Sequence, residues 1–145
     1  MLFTSFQSYL KEKRGALHVG AHEGGERDWY VKQGFAPVVW FEPNKKLFQT
    51  LIQNIQNYEN QIAYNVGVHD TLKKADLYIA SNNGQSSSIL NLGTHREHHP
   101  RVHYIGKQKI ELVRMDDFLH DHTLNINDIF LKQFVITGYV IQFII

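Results

Sequence analysis

Pro37 opens the stretch PVVWFE, in which Val38, Val39, Trp40 and Phe41 follow one another with no polar residue between them. A strand with one wet face alternates apolar and polar residues. A run without alternation suits a strand covered on both faces, as in a parallel sheet sandwiched between helices. The flanking segments repeat that theme. ALHVG (Ala16–Gly20) is a short strand running into the glycine-rich turn AHEGG, and Glu26 to Gln33 predicts a helix stopped by Gly34. Asn44 can cap a second helix, on which Leu47, Phe48, Leu51, Ile52 and Ile55 form one apolar stripe. QIAYNVGV is a third strand. Strand, helix, strand, helix, strand in this order predicts an α/β fold with a doubly wound sheet.

The rest of the chain reads differently. Before Gly15, the residues Leu2, Phe3, Phe6, Tyr9 and Leu10 recur at helical spacing, so residues 1–14 are expected as an N-terminal helix and 15–145 as the domain. ADLYIAS and KIELVRM look like strands around a turn-rich NNGQSSS and a polar loop, GTHREHHPRVH, which predicts a β-hairpin excursion. DDFLHD reads as a short helix and DIFLKQFVI as one more strand. The length of 145 residues suits one domain.

Charge and composition exclude several classes. Fifteen basic against fourteen acidic residues give no electrostatic case for nucleic acid or an anionic membrane surface, and the aromatic residues sit in apolar stripes. Without cysteine there are neither disulfides nor thiolate chemistry. The opening MLFTSFQSYLKEKR lacks the order of a signal peptide, so the chain is read as cytoplasmic and soluble. His95, His98, His99 and His103 crowd one loop, but Pro100 breaks it and no helical i, i+4 register aligns them; a solvated loop is expected and no metal site.

Three places at the carboxyl ends of the strands can carry chemistry. In HVGAHEGG, Gly20 lets the backbone approach a ligand, and the following helix start offers unpaired N–H groups. His22 occupies the place of the middle glycine in a Gly-x-Gly-x-x-Gly fingerprint, so a pyrophosphate has no seat. A tight turn of purely structural use is the alternative. Glu42 ends the second strand about 20 residues after the turn, where an acidic side chain accepts from ribose hydroxyls. Together they point to an adenosine without a pyrophosphate. NVGVHD lies at the same edge, where an adenine would reach; Asp70 there bonds a base or, more simply, caps a turn.

GALHVGAHEGGE, VVWFEPN, NVGVHD, IASNNGQSSSIL and VRMDDFL, in this order and spacing, resemble the FkbM-type S-adenosylmethionine-dependent methyltransferases over about Gly15 to Leu131. The resemblance implies a Rossmann-like sheet that binds S-adenosylmethionine and methylates an oxygen of a sugar or small-molecule acceptor. Carried over by position, Gly20, Ala21 and Gly24 would shape the methionine and ribose pocket, with His22 and Pro43 beside them. Glu42 would hold the ribose hydroxyls, and Asn65, Val66 and Gly67 would border the adenine. Ser86, Ser87 and Ser88 would lie near the cofactor or the acceptor. His18 departs from the family, many of whose members carry Asp there. No catalytic residue is assigned.

In that family the fourth core strand leads into acidic residues. Here FLK (Phe130–Lys132) and Gly138–Tyr139 fit the pattern, but QFVIT stands between them without a carboxylate, and no charge follows Lys132. The sheet is therefore expected to be incomplete after its fourth core strand. A disrupted reading frame is preferred over a half-domain that self-associates through the uncovered edge, because an exposed apolar edge aggregates. Activity is correspondingly in doubt, with an inactive S-adenosylmethionine- or adenosine-binding module, or a non-functional remnant, as the alternative.

Overall fold

A computed structural model of the chain describes residues 15–84, 87, 89, 101, 103–122, 129–136 and 139–144, the last two stretches through their backbone pairing. The segment 1–14, expected as a helix, lies outside the described residues.

Two apolar runs build the centre. Strand β1 (Gly15–Val19) pairs in parallel with β2 (Val38–Phe41), Ala16 opposite Val38 and His18 opposite Trp40. β2 pairs in parallel with β3 (Gln61–Tyr64). On the other side of β1 lies β7 (Ile129–Ile136), also parallel, and β8 (Tyr139–Ile144) follows it antiparallel. The strand order is β3-β2-β1-β7-β8.

The unalternating sequence of β2 is explained by what covers it. Val38 and Trp40, with Ala16 of β1, meet Tyr30 of α1 (Arg27–Gln33), Phe35, and Leu51 and Ile55 of α2 (Lys45–Ile55). Val39 and Phe41, with Leu17, meet Phe118 and Leu119 of α3 (Met115–Asp121) on the opposite face. All four β2 residues are fully buried. Right-handed crossovers explain the division of helices. Both steps from β1 to β3 move the same way, putting α1 and α2 on one face; α3 precedes a strand laid on the other side of β1 and takes the other face.

Helix ends follow their residues. Asn44 Oδ1 accepts from the N–H groups of Lys46 (3.0 Å) and Leu47 (3.3 Å), capping α2 as its sequence predicts. Gly34 closes α1 in the left-handed region, φ 77°.

The segment QIAYNVGV, expected as one strand, breaks into β3 and the two-residue β4 (Gly67–Val68). Asn65 causes the break by turning its side chain onto the main chain of the β2–α2 corner. Its Nδ2 donates to the carbonyls of Glu42 (2.8 Å) and Pro43 (3.1 Å). The chain then joins a second sheet of order β4-β6-β5, in which β5 (Lys73–Ala80) and β6 (Tyr104–Val113) form the expected antiparallel excursion. Leu77, Ile110 and Leu112 make its core.

The tail corrects the expected ending. The chain from Ile129 forms two strands, with Leu131 opposite Ile144 and Ile136 opposite Tyr139. The fourth core strand β7 is therefore paired on both sides, and β8 stands beyond it. Among the described residues, no helix is long and apolar enough to cross a membrane.

Candidate functional site

Parallel strands all deliver their carboxyl ends to one edge, so the turns after β1, β2 and β3 meet there. The glycine turn and Glu42 come together at that edge. The His22 N–H donates to Glu42 Oε2 at 2.7 Å, and the Asn44 N–H donates to Oε1 at 2.8 Å. One carboxylate thus binds the turn after β1 to the start of α2. Its relative exposure is 6%. Burial pushes its pKa above the ordinary carboxylate value, while the Asn44 and His22 amides and the His22 ring pull it back.

The turn itself is held from Gly20 to Gly24. The N–H groups of Gly20 and Ala21 both donate to the Phe41 carbonyl, at 2.9 and 3.1 Å, and the Gly24 N–H closes back on Ala21. Asn54 of α2 donates to the Glu23 carbonyl at 2.8 Å. Gly24 has φ 71°, and a Cβ on it would stand 2.6 Å from Leu51 Cδ1, so the turn lies against α2 where no side chain fits. α1 begins at Arg27, one residue after the expected start, and its N-cap Glu26 makes no side-chain capping bond. Within the turn before it, the amides of Gly20, Ala21, His22 and Gly24 are committed to protein acceptors.

The adenine-edge residues divide. Asn65 faces the β2–α2 corner. Its two carbonyl partners fix which end of the amide is nitrogen, leaving Oδ1 as an acceptor to which no described residue donates. Val66 packs instead with the apolar residues under α3. Gly67 is a packing glycine: a Cβ there would stand 2.6 Å from Leu112 Cδ2 and 3.6 Å from Pro43 Cβ. The Pro43 carbonyl accepts from Gln108 of β6 at 3.3 Å as well as from Asn65. Asp70 is exposed, and its hydrogen bond with Thr71 first, then His69, lowers its pKa. That is the turn-stabilising role.

Ser86 and Ser88, with His95, His98 and His99, lie outside the described residues. Ser87 has a structural partner, its Oγ accepting from the Ala80 N–H at 3.1 Å. His18, where the family pattern has an acid, is core: its ring stacks on Trp40 at 4.7 Å and its Nδ1 lies 3.1 Å from the Tyr30 hydroxyl.

The contact that sequence reasoning missed comes from the excursion. His22 Nε2 lies 2.9 Å from the carbonyl oxygen of Asn83, which brings the turn after β5 onto the glycine turn. Asn-Gly at 83–84 was a signal for a left-handed residue, and Asn83 has φ 57°. Nothing local in the sequence said what that turn would touch.

The acceptors left open match the hydroxyl and amino donors of an adenosyl group. A carboxylate offers about four lone-pair sites; two hold amides here, leaving two for a ribose diol, and Asn65 Oδ1 offers one acceptor for an amino group. A search with family descriptions matches the methyltransferase FkbM domain to residues 18–132. Neither curated proteins nor solved structures give a match.

Proposed function

The chain belongs to the methyltransferase FkbM domain family, and on that premise we propose that it transfers a methyl group from S-adenosylmethionine to a hydroxyl oxygen of a sugar or small molecule, on a Rossmann-like sheet. The observation that carries the reading is the Glu42 carboxylate joining the turn after β1 to the corner after β2. That position, at the carboxyl ends of adjacent parallel strands, is where an adenosyl ribose is held in doubly wound folds.

S-adenosylmethionine, when bound, supplies an electrophilic methyl on a sulfonium. The chain's residues then do the rest. Glu42 accepts from the ribose hydroxyls with the lone pairs its amides leave. Asn65 Oδ1 accepts from the adenine amino group. Gly20 leaves the turn without a side chain, so a ligand lies directly on backbone there, while Gly24 lets the turn close onto α2. Holding donor and acceptor in line is the main contribution to rate such a site can make, because the reaction otherwise waits on orientation.

Calorimetry with S-adenosylhomocysteine, the demethylated product, tests the reading. The parent chain is expected to bind it, and Glu42→Gln to bind at least about tenfold more weakly, as the loss of a charged acceptor implies. A parent that does not bind it removes the methyl-donor assignment. Transfer of labelled methyl to a hydroxylated acceptor separates an enzyme from a binding module.

A further inference from the structure

His22 is fixed at both ends. Its N–H is on Glu42 Oε2, and its ring is on the Asn83 carbonyl. A carbonyl oxygen can only accept, so Nε2 carries the ring hydrogen and donates it. In a neutral imidazole the second nitrogen is then bare. Nδ1 therefore presents a lone pair, and no described residue donates to it.

Both partners sit in the left-handed backbone region. His22 has φ 53° and Asn83 φ 57°, values that His and Asn adopt more readily than most residues with a side chain. The turn carrying Asn83 is anchored in its own right. Gly84 N–H donates to Ala80 O at 3.1 Å, and Gly84 backs so closely on α2 that a Cβ there would lie 3.1 Å from Leu47 Cδ1. The Asn83 carbonyl is thus a fixed acceptor that sets the tautomer and angle of the imidazole.

Methyl transfer to a hydroxyl needs a group of this kind, because the attacking oxygen must shed its proton. The second half of β7 and the residue after it, QFVIT, offer no carboxylate for the task. Glu42 already holds two amides and faces the ribose. Resting on the methyl-donor reading above, we propose that His22 is the catalytic base, and that its Nδ1 takes the proton of a neutral acceptor hydroxyl. The acceptor O–H donates to Nδ1. As the oxygen–methyl bond forms, the methyl–sulfur bond breaks with its electron pair remaining on sulfur, and the proton passes to Nδ1. The imidazolium keeps its Nε2–H on Asn83 and lies within electrostatic reach of the Glu42 carboxylate just beyond β2. The Nδ1 proton then leaves to water. An acceptor that carries no proton to lose, such as a carboxylate, would have no use for this base, so the substrate class is an alcohol.

Nitrogen-15 NMR of the full chain above neutral pH, with the His22 signals assigned by their loss in His22→Asn, is expected to show a protonated Nε2 and a bare Nδ1. A protonated Nδ1 overturns the assignment. Asn accepts positive φ and keeps the backbone N–H for Glu42, so this variant is expected to melt cooperatively and to retain binding of S-adenosylhomocysteine that calorimetry can measure. Its transfer of labelled methyl to methyl glycosides is expected to fall about 100-fold or more, and His22→Gln to fall likewise. Undiminished transfer in either variant overturns the base. A parent that binds no S-adenosylhomocysteine overturns the donor reading and this proposal with it, and calorimetry tells that failure from failure of the base alone.

Discussion

His18 and Glu42 belong to adjacent strands near one end of the sheet, His18 opposite Trp40 in register and Glu42 just beyond the end of β2. Both are buried and ionisable, yet their bonds go to different places. His18 keeps to side chains within one layer, stacked on Trp40 and beside the Tyr30 hydroxyl. Glu42 reaches main-chain N–H groups in two separate segments. Burial drives the His18 pKa down to about 3 and pushes that of Glu42 up. The difference separates a polar residue absorbed by the core from one that organises the edge of the sheet. An apolar residue of similar shape can replace the first at small cost; loss of the second strands two amides.

Acid stability breaks or sharpens this contrast most. Unfolded His18 takes up a proton near its ordinary value of 6.5, and the folded protein refuses it until about pH 3. Protons therefore bind the unfolded state between those values. The His18 contribution is intact above pH 6.5 and is lost as pH falls, at about 1.4 kcal/mol per unit, or about 3 kcal/mol by pH 4. Glu42 acts with the opposite sign. Its raised folded value means the folded state holds the proton longer, so stability declines as pH rises through the window above 4.5. Denaturant unfolding between pH 4 and 7 should show a steep limb near pH 4 and a flatter one above it. His18→Phe should flatten the acid limb, and Glu42→Gln should steepen the upper one. High salt suppresses the pairs of half-exposed Asp76 and exposed Asp116, whose lowered values act in the same direction as His18.

Removing Glu42 comes next. Glu42→Ala leaves the amides of His22 and Asn44 without partners in a buried corner, and we expect about 2–3 kcal/mol of lost stability with loss of S-adenosylhomocysteine binding. Chemical denaturation gives the first and calorimetry the second. Gly24→Ala strikes the same turn from the other side. The new methyl would press on fully buried Leu51 from a backbone at positive φ, at a cost of about 2 kcal/mol. His18→Phe measured beside them at neutral pH should cost less than either, and an equal cost would erase the distinction between core and edge.

The sequence carried the alternation, the glycine turn, Glu42 and the cap on α2, because each depends on residue types acting over a few positions. It placed Glu42 against the turn correctly because parallel strands leave their carboxyl ends at one edge whatever their length. It did not carry the break at Asn65, which is made by a side chain bonding carbonyls more than twenty residues earlier. Nor did it carry the His22–Asn83 contact, which spans 61 positions and depends on how the β5–β6 hairpin leans on the first sheet. The start of α1 was legible to within one residue, Arg27 against the expected Glu26; that the amides of Gly20, Ala21 and His22 find acceptors at Phe41 and Glu42 was not. The tail misled because an apolar run without alternation gives no sign of where it folds back.

Asn44 allows the smallest and cleanest test, because its two roles use different atoms. Its backbone N–H bonds Glu42 Oε1, and its side chain caps α2. Asn44→Ala removes the cap and leaves the amide, so the expected loss is about 1 kcal/mol, the usual value of such a cap. The Glu42 bracket should persist, with S-adenosylhomocysteine affinity unchanged by calorimetry. Asn44→Asp should restore the cap but bring a second carboxylate beside Glu42, raising the Glu42 pKa further and moving the upper limb of the pH–stability curve to higher pH. If Asn44→Ala instead weakened ligand binding as much as Glu42→Ala does, the carboxylate would be positioned by α2 rather than by the two amides, and the edge would owe its order to the helix beneath it.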